Sequence, residues 1–402
     1  MTSSAMIPPR PRPPKVPRPT PVPRVRSDLI DRLAPEDVPM FWEQIARTLP
    51  LVEETGVPGE AVVTFCWRDH DAEQVLLFAN RLTDETDLDA TLLERKGDTD
   101  LWHASFAMAS DWRASYAFLV QRPGEQAPWV VGDQVSLRGA LDQGRTDPRN
   151  PETCPGRHGA LRSVCALPDA APQPWLAPRA DVERGSMHED LGPDGRRVWL
   201  YDPAAFTTAE PLPLLVVLDG EVWAETHDLA TTLDNLQADG TEPLRAVFLD
   251  AGDRDQRWAE LSNDGAGVEY VVERLVPWVA DRRGVRTDQV GVAGQSLGGL
   301  TALRAGLLRP DAVAWVASQS ASLWQDDLAV AVDKLAGAER TPRIHLAHGL
   351  QEWVLAGPHR ELAERLRAAG VGVTEASYNG GHDDAWWRGA LADAVRWAAE
   401  PI

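Results

Sequence analysis

The sequence predicts an α/β chain in two domains: a smaller N-terminal β-sandwich, then a mostly parallel sheet with helices on both faces. Three observations carry this expectation. From about residue 196 onward, short apolar runs alternate with segments of helical periodicity, the pattern of parallel strands buried on both sides. Between residues 61 and 122, four strand-like runs are separated by turn-rich joints, the spacing of a small sandwich. At 402 residues and 43% hydrophobic content, the chain can build more than one core.

Residues 1–27 mix Pro with Arg and Lys, contain no acidic side chain and offer few large apolar groups to bury. This composition reads as a disordered tail leaning toward polyproline II. Residues 28–150 form the expected sandwich domain. It opens on one or two short helices, because Leu29, Leu33, Phe41, Ile45 and Leu49 fall at helical spacing. The strands follow at Ala61–Asp69, Gln74–Leu82, Leu101–Met108 and Ala114–Arg122. Residues 151–178 are rich in Pro and lack sustained periodicity, so they read as a linker.

Residues 179–402 carry the alternating pattern. Strands are expected at Arg196–Pro203, Pro213–Gly220, Leu244–Gly252, Gln289–Gly294, Ala312–Ser320, Arg343–Gly349 and Thr374–Tyr378. Helical patterning covers Val268–Arg282, Leu297–Leu308, Gly357–Ala369 and Ala385–Ala398.

The formal net charge of -21 argues against nucleic acid or an anionic membrane as partner, since both would repel the bulk of the protein. No run approaches the roughly 20 apolar residues that span a bilayer, and no apolar segment follows the basic N-terminus. The chain is therefore expected to be soluble and cytoplasmic, without membrane insertion. Three cysteines with no CxxC pair and no histidine at ligand spacing indicate neither a disulfide framework nor a metal site. Most of the sixteen tryptophans are expected in the core.

Gly294-Gln295-Ser296-Leu297-Gly298 has the G-x-S-x-G form, with an apolar strand running in and a helical segment running out. That is the strand-to-helix turn of a nucleophile elbow in an α/β-hydrolase fold. A serine hydroxyl needs a base, which in this fold lies downstream. His382, in a loop between the last strand and the last helix, stands where that base belongs, with His348 a distant second. The third member should follow the strand Arg343–Gly349, and Glu352 is the first carboxylate there. A Ser-His dyad without an essential acid stays open. Asp383 is expected to cap the final helix rather than turn back onto the imidazole. The oxyanion hole is expected from the amide of Leu297 and from the turn near Gly220.

Several segments resemble the enterochelin esterases, cytoplasmic enzymes that hydrolyse the trilactone backbone of catecholate siderophores. They are Leu218–Glu225, Leu249–Leu261, Val292–Leu303, Ser318–Trp324 and Asn379–Leu391, with Trp67–Asp69, Asp111–Phe118 and Asp147–Pro151 in the N-terminal part. The resemblance implies a sandwich followed by an α/β-hydrolase domain, with the family's serine, histidine and acid at Ser296, His382 and Glu352. It further implies that Arg257 touches an anionic ferric siderophore, with Trp258 or Trp223 against its rings. No cofactor is implied, and iron enters only as part of the substrate. Leu297 and Trp386 depart from the family pattern and are expected to alter the pocket wall. Two other readings stand beside this one. One is a related esterase acting on another aryl or acyl ester; the other is a carbohydrate-binding protein using Trp67, Trp102, Trp112 and Trp129 as stacking platforms.

Overall fold

In the computed structural model, residues 21–45, 48–156, 159–262 and 264–400 are described, with residues 11, 13, 14, 16 and 19 before them. The expected disordered tail falls largely outside the described residues. Its end does not: Arg24–Val25 pairs antiparallel with Ser105 and Phe106, so the 1–27 boundary runs too far. A two-residue edge strand after a proline-rich run carries no period that a sequence reading detects.

The helical segment after it is broken into Asp28–Arg32 and Val38–Gln44. Ser27 caps the first by accepting from the Ile30 amide, and Pro35 opens a short 3-10 turn between them. The sandwich has two sheets. One orders Arg24–Val25, Leu101–Ala109, Glu60–Arg68 and Leu51–Glu54, with Glu94–Arg95 on Leu101–Ala109; the other orders Gln74–Ala79, Arg113–Gln121, Leu161–Ala166 and Thr153–Pro155. Alternate residues Ala61, Val63, Phe65 and Trp67 face the space between the sheets, meeting Leu77, Tyr116 and Phe118. Phe65 meets Tyr116 edge-on at 4.9 Å, the geometry favoured by aromatic quadrupoles.

Two strands of the second sheet lie inside the expected 151–178 linker, which is therefore corrected. Cys154, Val164 and Cys165 are buried there. Strands of three and six residues among Pro and Gly are too short to show alternation. The proposed stacking platforms Trp67, Trp102, Trp112 and Trp129 are all buried, at most 9% exposed. A platform must present its ring face to solvent, so this observation overturns the carbohydrate-binding reading.

The second sheet system has eight strands in the order Ser186–Leu191, Arg197–Asp202, Arg245–Leu249, Leu212–Leu218, Val285–Gln295, Trp315–Gln319, Arg343–Gly349 and Val373–Tyr378. The first two pairings are antiparallel and the rest parallel. Leu212–Leu218 shows why: every residue is buried. Leu214, Val216 and Leu218 join one core with Val268, Leu275, Leu300 and Leu362. Leu215 and Val217 join the other with Leu233, Trp386 and Leu391. Each such side chain contributes about 1.5–3 kcal/mol on burial. The edge strand Ser186–Leu191 escapes the sequence reading because its residues are mostly exposed and polar.

The sandwich packs on the carboxyl edge of this sheet and holds the loop 379–383. Arg113 N donates to Asn379 O at 2.9 Å, Ser115 N to Asp383 Oδ2 at 2.7 Å, and Asn80 Nδ2 to His382 O at 3.1 Å. Trp112 Nε1 adds a bond to Gln351 Oε1 at 3.2 Å.

Candidate active site

The strand Val285–Gln295 feeds Ser296, which has φ 58° and ψ -117°, and the helix Leu297–Leu308 follows at once. A non-glycine residue held there costs of the order of 1–3 kcal/mol and persists only where its surroundings over-determine it. They do so here. Ser296 N donates to Gln319 O at 3.0 Å, and Ser296 O accepts from Ser322 N at 3.0 Å. Gly294 is required because a Cβ on it would come within 2.5 Å of the Gly298 backbone. Ser296 stays half-buried while both neighbours are buried.

His382 lies in the loop after the last parallel strand, its side chain 36% exposed. Its Nδ1 meets Glu352 Oε1 at 2.5 Å. With Nδ1–H donated to the carboxylate, Nε2 is the nitrogen left to receive a proton. The other Glu352 oxygen accepts from Ser320 Oγ and from Gly349 N, both at 2.7 Å. Burial alone would raise the Glu352 carboxyl; the donors from His382, Ser320 and Gly349 outweigh it and hold the group below its ordinary range.

Ser320 and Trp387 complete this arrangement, and sequence reasoning assigned neither a role. Trp387 Nε1 donates to Ser320 Oγ at 2.8 Å, so the serine hydrogen is directed to Glu352. The same indole lies edge-on to the His382 ring at 4.6 Å. Ser320 is itself in the left-handed region, φ 47°. The segment Ser318–Trp324 was visible as a motif, but only the turn at its centre reveals what Ser320 touches.

The remaining downstream histidines are buried. His359 spends both nitrogens, Nδ1 on Leu355 O and Nε2 on the Ala321 amide. Burial depresses His345 and His359 to about 4, which keeps both neutral. His348 is 1% exposed, so the second candidate base has no access to a ligand. Asp383 caps the final helix through the Ala385 amide at 3.0 Å, as expected.

Leu297 is the first residue of its helix, so its N–H has no acceptor within that helix. Gly220 sits in the turn after Leu212–Leu218, where a Cβ would approach Leu249 N to 2.4 Å. The turn lies against the elbow: a Cβ on Gly298 would be 3.4 Å from Leu218 Cβ and 3.3 Å from Asp219 Oδ2. Glycine at 220 lets the chain pass between the neighbouring strand and the elbow.

Of the three expected ligand contacts, Arg257 and Trp223 are committed inside the protein. Arg257 gives Nε and Nη2 to the two oxygens of buried Asp219, at 2.6 and 2.8 Å. Its partner is neither Asp253, which caps the helix Arg254–Leu261, nor Glu260, which pairs with Arg196. Burial would lower the Arg257 guanidinium, but the charge and hydrogen bonds of Asp219, with the charge of Glu221, together outweigh it and raise the group. Trp223 is 1% exposed and donates Nε1 to Gln295 Oε1 at 2.9 Å, so it braces the elbow from within the core and offers no ring face to a ligand. Trp258 is half-buried and packs on the core beneath its helix. Trp386 likewise leaves the pocket wall: it is buried, stacked on Tyr378 at 4.8 Å.

Comparison with known proteins agrees with this architecture. The family model for the enterochelin esterase N-terminal domain matches residues 62–176, and the esterase family model matches residues 193–398. The chain is 32% identical to the iron(III) enterobactin esterase of Dickeya dadantii, covering 89% of this chain and 92% of that one. It is 29% identical to the iron(III) salmochelin esterase of Escherichia coli O6:H1, covering 88% and 92%. Among solved structures, the ferric enterobactin esterase of Salmonella typhimurium superposes with a TM-score of 0.74 at 27% identity over 90% of this chain and 98% of that one. The Shigella flexneri enterobactin esterase, crystallised in the presence of enterobactin, gives 0.73 at 29% identity over 89% and 97%. A sandwich and an eight-stranded hydrolase sheet, matched together in this order, make the chain a member of the enterochelin esterase family and a carboxylic ester hydrolase.

Proposed function

We propose that this protein is a serine esterase that opens the ester bonds of a catecholate siderophore of the enterobactin kind, in its ferric or iron-free form. The observation that carries the proposal is the His382–Glu352 pair at 2.5 Å on the same sheet edge as the strained Ser296 elbow. Ser296 Oγ attacks the ester carbonyl while His382 Nε2 takes its proton. Negative charge forms on the carbonyl oxygen, facing the amides of Leu297 and Gly220. Glu352 compensates the imidazolium. The alkoxide of the serine-derived alcohol then leaves with the proton from His382, and water, deprotonated by the same histidine, releases the acyl group and restores Ser296. The chain supplies nucleophile, base and acid, so the reaction calls for no cofactor; iron is cargo of the substrate. The cytoplasm, where an imported ferric siderophore is opened, is the compartment this reading requires.

The test is chromatography of products after incubation with iron-loaded and iron-free enterobactin and salmochelin. Wild type should release linear trimer, dimer or monomer, and Ser296→Ala should release none while keeping its circular dichroism spectrum. Intact trilactone with wild type would refute the substrate; turnover by Ser296→Ala would refute the nucleophile.

A further inference from the structure

With Arg257 held by Asp219, a ligand carrying several negative charges needs a different cation in the cleft. The sandwich domain supplies one at the turn after Gln74–Ala79. Asn80 N donates to Ser115 O at 2.9 Å, and Thr83 closes the turn by receiving the Ala79 amide and donating to Leu77 O. Arg81 at its apex has φ 62°, a conformation that a non-glycine side chain adopts only where something imposes it.

This turn lies on the histidine loop. Asn80 Nδ2 holds the carbonyl of His382, and a Cβ on Gly381 would fall 2.1 Å from Arg81 Cγ and 2.2 Å from Asn80 Oδ1. The Arg81 guanidinium lies over the ring of Trp353, 5.4 Å from its centroid, and Trp353 adjoins Glu352. Among the described residues no carboxylate stands within ion-pair distance of Arg81. The oxygens of Glu352 accept from His382, Ser320 and Gly349 instead. Burial disfavours the charged form of Arg81 more than the charges of Glu352 and Glu85 favour it. A half-buried guanidinium without an ion-pair partner is costly to maintain for structure alone.

We propose that Arg81, carried on the sandwich and seated over Trp353 beside the His382–Glu352 pair, is a substrate-binding residue for the anionic part of the ester. The assignment to a siderophore rests on the function proposed above; the assignment to an anionic ester does not. A guanidinium presents a planar fork to paired catecholate or carboxylate oxygens, and the Trp353 ring offers an apolar wall next to it.

The test compares p-nitrophenyl hydrogen succinate, an anionic ester, with neutral p-nitrophenyl butyrate on the intact protein. The ratio of their kcat/KM values should fall by about tenfold in Arg81→Gln, as loss of a charge-assisted hydrogen bond implies, with the loss in KM rather than kcat. Arg81→Lys should recover part of the ratio, and Arg81→Gly, which relieves the positive φ, should behave like Arg81→Gln if the charge is what matters. An unchanged ratio in both the Gln and Gly variants would overturn the proposal, as would a loss confined to kcat. With ferric enterobactin, the same variants should raise KM. If wild type fails to cut that substrate, the siderophore reading falls while the pair of small esters still decides the role of Arg81.

Discussion

The two sides of the cleft treat buried charge in opposite ways. On the hydrolase side, Arg257 is locked bidentate to Asp219, and Glu352 is held by His382, Ser320 and Gly349. On the sandwich side, Arg81 has an aromatic ring beneath it and, among the described residues, no carboxylate within ion-pair distance. Charges paired within the protein build and poise the machinery, so their loss should affect every ester alike. A charge left open discriminates between esters. The resemblance, which implied a ligand contact at Arg257, does not distinguish the two roles; the partner does.

The largest effect expected on the paired side is that of His382→Ala. Removing the base should lower kcat by about 10⁴-fold or more, equally for neutral and anionic esters. A loss restricted to one class of ester would break the comparison at its centre.

Arg257→Ala comes next. It takes the bidentate partner from the buried Asp219 carboxylate beside the elbow, which should cost about 3 kcal/mol or more in urea unfolding. Turnover of both ester classes should fall together, because Asp219 adjoins Gly298 and the Gly220 turn. A variant as stable as wild type that loses only the anionic ester would return Arg257 to the ligand and undo the contrast with Arg81.

Glu352→Gln should lower kcat by about 10²-fold, less than His382→Ala, since the amide cannot compensate an imidazolium but Ser296 and His382 remain. It also carries a pH signature. The Glu352 carboxyl is held below its ordinary 4.5 in the folded protein. Its contribution to stability is therefore present above that value and is lost as pH falls through the lower folded value. The stability gap between wild type and Glu352→Gln should narrow on acidification below 4.5. A constant gap from pH 7 to 3 would show that the carboxylate charge is not what the donors stabilise.

Ser320→Ala is the mildest. It removes one of three donors to Glu352 and leaves the Trp387 indole N–H without its acceptor, so kcat should drop about tenfold with KM unchanged. A change in KM alone would place Ser320 in ligand binding instead.

Much of the site was legible in the chain because it is encoded locally. Gly294 and Gly298 allow the tight elbow, an apolar strand precedes Ser296, and a helix follows it; the helix Leu297–Leu308 and the strand Arg343–Gly349 fall where periodicity puts them. His382 and Glu352 follow from the order of strands, since each stands in the loop after one. Short or polar elements were not legible: Thr153–Pro155, Arg24–Val25 and the edge strand Ser186–Leu191 bury too little to leave a pattern.

What only the tertiary structure decided is which side chains meet. Asp219 and Arg257 are 38 residues apart, Ser320 and Glu352 are 32, and Asn80 is 302 residues from the histidine whose carbonyl it holds. The resemblance implies Trp223 and Trp386 at the pocket, yet their rings lie inside the core, where burial of so large an apolar surface outweighs exposure to a ligand. Local sequence set the backbone of the elbow and the order of nucleophile, acid and base. Packing within the hydrolase domain decided which charges are spent inside the protein, and packing of the sandwich brought Arg81 to the histidine loop, because ion pairing depends on distances that no sequence interval specifies.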